Sequence, residues 1–194
     1  MTLSIPRFTC NLALLLPLWA LWCLVHSLFV SHKVQRALGS RPILRRWWRL
    51  VFNVFSMVTV LPLVILTYLG DGPLVWRWPL WAWPLKILLW GLGLYLFLAA
   101  FKIYGFWEFL GLKPPKKGLL RQGILARLRH PLYTGGFLFL WARDQSLCWF
   151  WTDVLLTVYL LLGTYLEERK LLREFGEEYA RYRREVPPFW PRFS

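Results

Sequence analysis

The sequence predicts an all-α fold: a polytopic membrane protein of five transmembrane helices, the last two forming a helical hairpin, followed by a C-terminal cytoplasmic amphipathic helix. Three features carry that expectation. The chain of 194 residues is 57% hydrophobic and holds 14 Trp, a composition unlike that of a soluble domain. Four of its apolar stretches reach or approach the ~20 residues that cross a bilayer core. Its charged residues, with a net charge of +14, gather in alternate loops, as they do in chains oriented by cytoplasmic Lys and Arg.

The four long stretches are Leu12 to Val30, Leu50 to Leu69, Leu80 to Phe101 and Leu147 to Leu166. Arg7 precedes the first as in a signal peptide. No small-residue cleavage site follows, and cleavage would export the next basic cluster, so this segment is expected to remain as a helix. Lys86 snorkels from the third stretch. A fifth, Pro131 to Ala142, is too short to span unless its helix begins near Ile124 or it pairs with the next segment in a tight hairpin. The hairpin, turning at Arg143-Asp144-Gln145-Ser146, is the expected arrangement. His32 to Arg49, Lys102 to Arg129 and Arg169 to Arg192 hold 20 of the 24 Lys and Arg residues. The loops around Asp71 to Arg77 and around Arg143 hold few, which predicts an N-terminus outside, a C-terminus in the cytoplasm, and a bacterial inner membrane or its equivalent.

Trp47, Trp48, Trp76, Trp78, Trp81, Trp83 and Trp107 fall at predicted helix ends, where an indole keeps its ring in the acyl region and its N–H among headgroups. The loop from Gly105 to Gly123 contains Gly111, Pro114, Pro115 and Gly118, so it is no continuous helix. Leu171, Leu172, Phe175, Tyr179 and Tyr182 recur at helical spacing. Gly176 interrupts that pattern at modest cost, and Pro187-Pro188 ends it. Without internal repeats or linkers, residues 1–194 read as one integral-membrane domain, with any cofactor-binding part in residues 105–194. The basic residues lie between apolar runs and serve topology and anionic lipid rather than nucleic acid. Cys10, Cys23 and Cys148 show no metal-ligand or redox spacing and read as membrane-packed thiols.

Two clusters carry candidate chemistry. Arg129-His130-Pro131-Leu132-Tyr133-Thr134-Gly135 opens the fourth apolar helix. Pro131 suits a first helical turn, so Arg129 and His130 sit at the positive end of a helix dipole, where an anionic group binds. A basic anchor with an interfacial Tyr accounts for the same residues. Glu167-Glu168 ends the fifth helix. Two adjacent acids beside lipid must be solvated or paired, either as a cation site or as a solvated end next to Arg169 and Lys170. Both clusters end consecutive helices on one side of the membrane. Facing each other, they match a zwitterionic amino-acid ligand such as S-adenosyl-L-methionine.

Arg129-His130-Pro131-x-Tyr133-x-Gly135, then Glu167-Glu168-x-x-Leu171-x-x-x-Phe175-Gly176-x-x-Tyr179-x-x-Tyr182 and Val186-Pro187, resembles the isoprenylcysteine carboxyl methyltransferase and phospholipid methyltransferase superfamily of membrane enzymes. The resemblance covers roughly Lys116 to Pro191. More loosely, His26-Ser27 and Arg45-Arg46-Trp47-Trp48-Arg49 are similar to the bacterial branch containing methanethiol S-methyltransferase-like proteins. It implies that S-adenosyl-L-methionine is held by Lys117, Gly118, Leu119, Leu120 and Leu125, by Arg129, His130 and Tyr133, and by Glu167 with Glu168. Where the prenylcysteine enzymes carry an Arg for the acceptor carboxylate, this chain has Gly163, which argues against a prenylcysteine acceptor.

The expected activity is therefore methyl transfer to a small or lipophilic acceptor, whether thiol, carboxylate or amine, that enters from the lipid bilayer. Such a displacement needs alignment, exclusion of water and electron-rich groups near the sulfonium. Tyr133, Trp107 and Tyr104 are candidates for those groups. A protonated acceptor needs a base, for which His130 and Glu168 are the catalytic candidates. His26 reads chiefly as a helix-packing residue and His32 as a surface one. Two other readings compete. A related His-Pro-x-Tyr motif occurs in NADPH-dependent membrane reductases, although those tend to carry an acid where this chain has Gly136. The fold also suits a non-catalytic accessory protein.

Overall fold

A chain in hydrocarbon must pair its own N–H and C=O groups, so each long apolar stretch becomes a helix. The computed structural model describes residues 8–31, 34, 42–114 and 116–190, without the side chains of residues 8, 42–46 and 71. The expectations for Arg7, His32 and Pro191, and for the side chains of Arg45 and Arg46, lie outside the described residues. In chain order the helices are α1 (Leu12–Val30), α2 (Pro42–Leu69), α3 (Trp83–Tyr104), α4 (Phe106–Leu110), α5 (Pro131–Trp141), α6 (Leu147–Phe175) and α7 (Glu177–Glu185). Four of them, α1, α2, α3 with its preceding turn, and α6, are long and apolar enough to cross a membrane. Their exposed faces carry residues such as Leu24, Met57, Leu61, Ile87 and Leu88, each more than half exposed. Water would penalise that surface and lipid does not, so this is an integral membrane protein.

The described residues pack as two units. The first comprises Met1–Arg77, Leu110–Lys113 and Asp144–Leu156. In it α1 lies antiparallel to α2, and polar side chains pin the register at three levels. The Trp19 indole donates to the Thr67 hydroxyl at 2.9 Å, the Trp22 indole donates to Thr59 at 3.0 Å, and His26 Nδ1 meets the Ser56 hydroxyl at 3.2 Å. His26 also stacks between Trp22 and Phe52, the packing role the sequence predicts. One end carries two short strand pairs. β1 (Phe8–Thr9) runs parallel to β2 (Gly70–Asp71), and β3 (Leu74–Trp76) antiparallel to β4 (Gln145–Ser146). Strands of two or three residues are too short to show alternation, so the all-α expectation omits them.

At the same end Cys10 and Cys148 form a disulfide. This corrects the reading of three packed thiols. The partners are 138 residues apart in sequence, and only the fold brings them together. Cys23 remains free and buried.

The second unit comprises Trp78–Phe109, Pro114–Arg143 and Thr157–Ser194. Here α3 and α5 cross closely at two glycines. A Cβ on Gly135 would come within 2.7 Å of the Phe97 ring and 3.1 Å of the Gly93 carbonyl, so small residues are what allow the approach. The Trp90 indole, donating to the Ala142 carbonyl at 2.7 Å, closes the far end.

α5 and α6 run antiparallel. The Trp141 indole donates to Thr157 at 2.9 Å, Gly136 lies against Leu160 and Gly163 against Tyr133, and His130 reaches Glu168. The hairpin turns where the sequence places it. α5 alone is short: 11 residues rise about 16 Å, roughly half of a bilayer core. Its helix does not begin near Ile124, because Gly123–Ala126 is a 3-10 turn.

The segment after Leu166 also differs from a single amphipathic helix. Leu171 to Phe175 continue α6, Gly176 at φ 52° breaks the helix, and α7 follows. A positive φ suits glycine, so the interruption becomes a corner that turns α7 under the hairpin.

Candidate active site

His130 caps α5 and Pro131 fills its first position, where a missing N–H costs nothing. The hairpin then delivers Glu167 and Glu168 to the same place. His130 Nε2 lies 3.2 Å from Glu168 Oε1, and Nδ1 lies 3.9 Å from Glu167 Oε2. The C-terminal segment straps this corner: Arg129 N–H donates to the Pro187 carbonyl and His130 N–H to that of Pro188, both at 3.0 Å.

The two acids sit in different environments. Glu168 is buried, and both its oxygens are engaged. Oε1 accepts from Arg129 Nε at 3.0 Å, from Arg129 Nη2 and from His130, while Oε2 pairs with Arg183 Nε at 3.2 Å. The other Arg129 nitrogen donates to the carbonyls of Arg183, at 2.7 Å, and Val186. Arg129 and Glu168 thus satisfy each other and hold α7 and the strap in place, as a buried charge pair must to offset its desolvation. The Glu167 side chain, by contrast, is 44% exposed and borders a cavity.

That cavity encloses about 150 Å³. Gly118, Leu119, Leu120 and Leu125 supply one wall, Leu171 and Phe175 of α6 another, and Tyr104, Tyr179 and Tyr182 add aromatic faces. Arg129, His130 and Glu167 are its charged and titratable edge. The Tyr182 hydroxyl donates to the Leu125 carbonyl at 2.6 Å, and burial pushes this phenol up to about 12. Burial also raises the Tyr179 phenol. Its hydroxyl, in a residue only 1% exposed, has no hydrogen-bond partner among the described residues. A buried unpaired hydroxyl costs free energy unless a ligand or water satisfies it.

Of the residues expected at the site, Gly118, Leu119, Leu120, Leu125, Arg129, His130 and Glu167 line this one cavity. Lys117 is exposed and outside the wall. Tyr133 stacks behind His130, with ring centroids 5.6 Å apart, and Glu168 lies behind the wall in the ion-pair hub. Tyr104 lines the cavity, whereas Trp107 is 52% exposed and does not. Leu171, Phe175, Tyr179 and Tyr182, which the sequence marks as an amphipathic stripe and as part of the motif but not as cofactor residues, also line it. Their recurrence in the same motif as the acids was the available signal that they form the wall.

Residues 14–148, well over half of the chain, match the NnrU protein family. The chain belongs to the NnrU family. Over most of its length it is also similar to proteins named methanethiol S-methyltransferase. It is 28% identical over 201 residues to a methanethiol S-methyltransferase of Pseudomonas deceptionensis, spanning 89% of this chain and 74% of that protein. It is 29% identical over 195 residues to methanethiol S-methyltransferase 2 of Bradyrhizobium diazoefficiens, spanning 87% and 71%. A 65-residue stretch is 38% identical to the Crocosphaera subtropica methanethiol S-methyltransferase. No solved structure matches the chain. The family match includes His130 and ends before the acids. It covers the N-terminal helices, where the sequence carries only the looser similarity.

Proposed function

We propose that this NnrU-family protein is an S-adenosyl-L-methionine-dependent methyltransferase acting on a small thiol. The observation that carries the reading is that Arg129, His130 and the half-exposed Glu167 border one cavity walled by the rings of Tyr104, Tyr179 and Tyr182. These groups fit the donor's chemistry. Glu167 would pair with its ammonium, Tyr179 would donate to a polar oxygen, and the phenol faces of Tyr104 and Tyr182 would lie against the cationic sulfonium. At about 150 Å³ the enclosed space is below the usual range for whole ligands. It would hold one end of the donor, with Gly118, Leu119 and Leu120 as one wall. The resemblance to methanethiol S-methyltransferases favours a thiol, and Gly163 beside Tyr133 leaves no Arg for a carboxylate acceptor.

The donor supplies an electrophilic methyl group. The acceptor sulfur forms a new C–S bond as the sulfonium C–S bond breaks, and the thiol proton must leave. With Nε2–H donating to Glu168, His130 is held in the tautomer whose Nδ1 lone pair accepts that proton. Glu167, 3.9 Å away, then stabilises the imidazolium. Glu168 and Arg129 act as positioning residues.

The cavity-bearing side is read as cytoplasmic and the membrane as a bacterial inner membrane, with the N-terminus outside. The Cys10–Cys148 disulfide supports this orientation, since Cys148 stands at the start of α6, the acids lie toward its other end, and disulfides persist on the oxidising side. Calorimetric titration of purified protein with S-adenosylhomocysteine and with NADPH tests the reading. Binding of the former is expected; binding of NADPH alone overturns it.

A further inference from the structure

A second, larger concavity of about 760 Å³ lies along the outer face of α3 and shares no lining residue with the cavity just described. Tyr95, Leu98, Ala99 and Lys102 border it. Their spacing of three, four and seven residues puts them on one helix face, a stripe rising about 10 Å from the cation. Ile124 and Arg127, around the 3-10 turn, form the opposite lip. Tyr95 and Leu98 are 58% and 60% exposed, so the trough opens sideways toward the acyl layer. Lys102, at the end of the helix stripe, and Arg127, on the opposite lip, are exposed and have no salt-bridge partner among the described residues. A largely apolar trough bordered by two uncompensated cations is complementary to an amphiphile with an anionic head.

We propose that this trough is a binding site for an anionic membrane phospholipid. Its acyl chain lies along Tyr95, Leu98 and Ala99, and its phosphate sits between Lys102 and Arg127. Each basic residue near a membrane surface contributes roughly fivefold in affinity for anionic lipid, so the pair is worth about thirtyfold. The apolar walls fix where on the protein that attraction is used. This inference does not depend on the methyltransferase reading, because no residue named in it takes part in that chemistry.

The test reconstitutes the full chain in nanodiscs of phosphatidylcholine containing one part in ten phosphatidylglycerol. Lipid retained after mild extraction is then counted by native mass spectrometry. The wild type is expected to retain phosphatidylglycerol well above its share of the bilayer. K102Q/R127Q should bring the ratio close to that share. R173Q/R181Q, which removes the same charge from exposed sites elsewhere in this unit, should leave the preference intact. Ala99→Phe, which fills the trough at unchanged charge, should lower total retained lipid. A wild type without preference overturns the proposal, and so does equal loss in R173Q/R181Q, which would mean diffuse adsorption. Full competition by soluble glycerol phosphate also overturns it, since that would mark a phosphate site that ignores the acyl chain.

Discussion

Replacing Arg129 with Met removes the keystone of the corner that presents His130. The guanidinium makes two bonds to Glu168 and one each to the carbonyls of Arg183 and Val186. Without it the Glu168 side chain, 11% exposed, keeps among the described residues only His130 and the half-exposed Arg183 as partners. Removing one member of a buried pair costs about 3–5 kcal/mol, most of it from the stranded charge. For a chain of this size that corresponds to a fall in melting temperature of roughly 6–20 °C. Melting in detergent, followed by intrinsic Trp fluorescence, measures it. The double variant Arg129→Met/Glu168→Leu removes the stranded charge as well and should recover much of the loss, so the two effects should be far from additive. A single variant melting within 2 °C of wild type, or a double variant losing the sum of both singles, would refute the hub.

Three further outcomes follow from the geometry. Tyr179→Phe deletes the unpartnered hydroxyl, so it should leave thermal stability unchanged or slightly raised. It should also weaken S-adenosylhomocysteine binding by about three- to tenfold in calorimetry, the worth of one hydrogen bond. Gly135→Ala drives a methyl into Phe97 and the Gly93 backbone and should cost about 1–3 kcal/mol in melting experiments, whereas Gly91→Ala, in open space, should not destabilise. Maleimide labelling of unreduced, denatured protein should modify one cysteine, Cys23, and three after reduction; three in both states would remove the disulfide.

The four long helices were legible because lipid imposes a single rule, internal backbone pairing over a fixed length, and apolar runs reveal it directly. The hairpin was legible from the polar Arg143-Asp144-Gln145-Ser146 break. Features made by distant pairs were not. Cys10 and Cys148, and the strand pairs of Phe8 with Gly70 and Leu74 with Ser146, join segments whose proximity no local pattern encodes. At the site, the motif predicted that His130 and the acids converge. It set Glu168 beside His130 as a candidate base and both acids at the cofactor, but gave no sign of which acid pairs with Arg129 and Arg183. Only the arrangement of Arg129 and Arg183 makes one of them a structural hub and leaves the other facing the cavity.

The central claim is methyl transfer at the cavity bordered by His130 and Glu167. Its most direct test is turnover: protein in nanodiscs, incubated with methyl-labelled S-adenosyl-L-methionine and methanethiol, with the volatile product collected and identified. The account predicts labelled dimethyl sulfide from the wild type and a large loss of it in His130→Ala, with S-adenosylhomocysteine binding retained. Absence of labelled product from wild-type protein that binds S-adenosylhomocysteine, or undiminished turnover in His130→Ala, would contradict it.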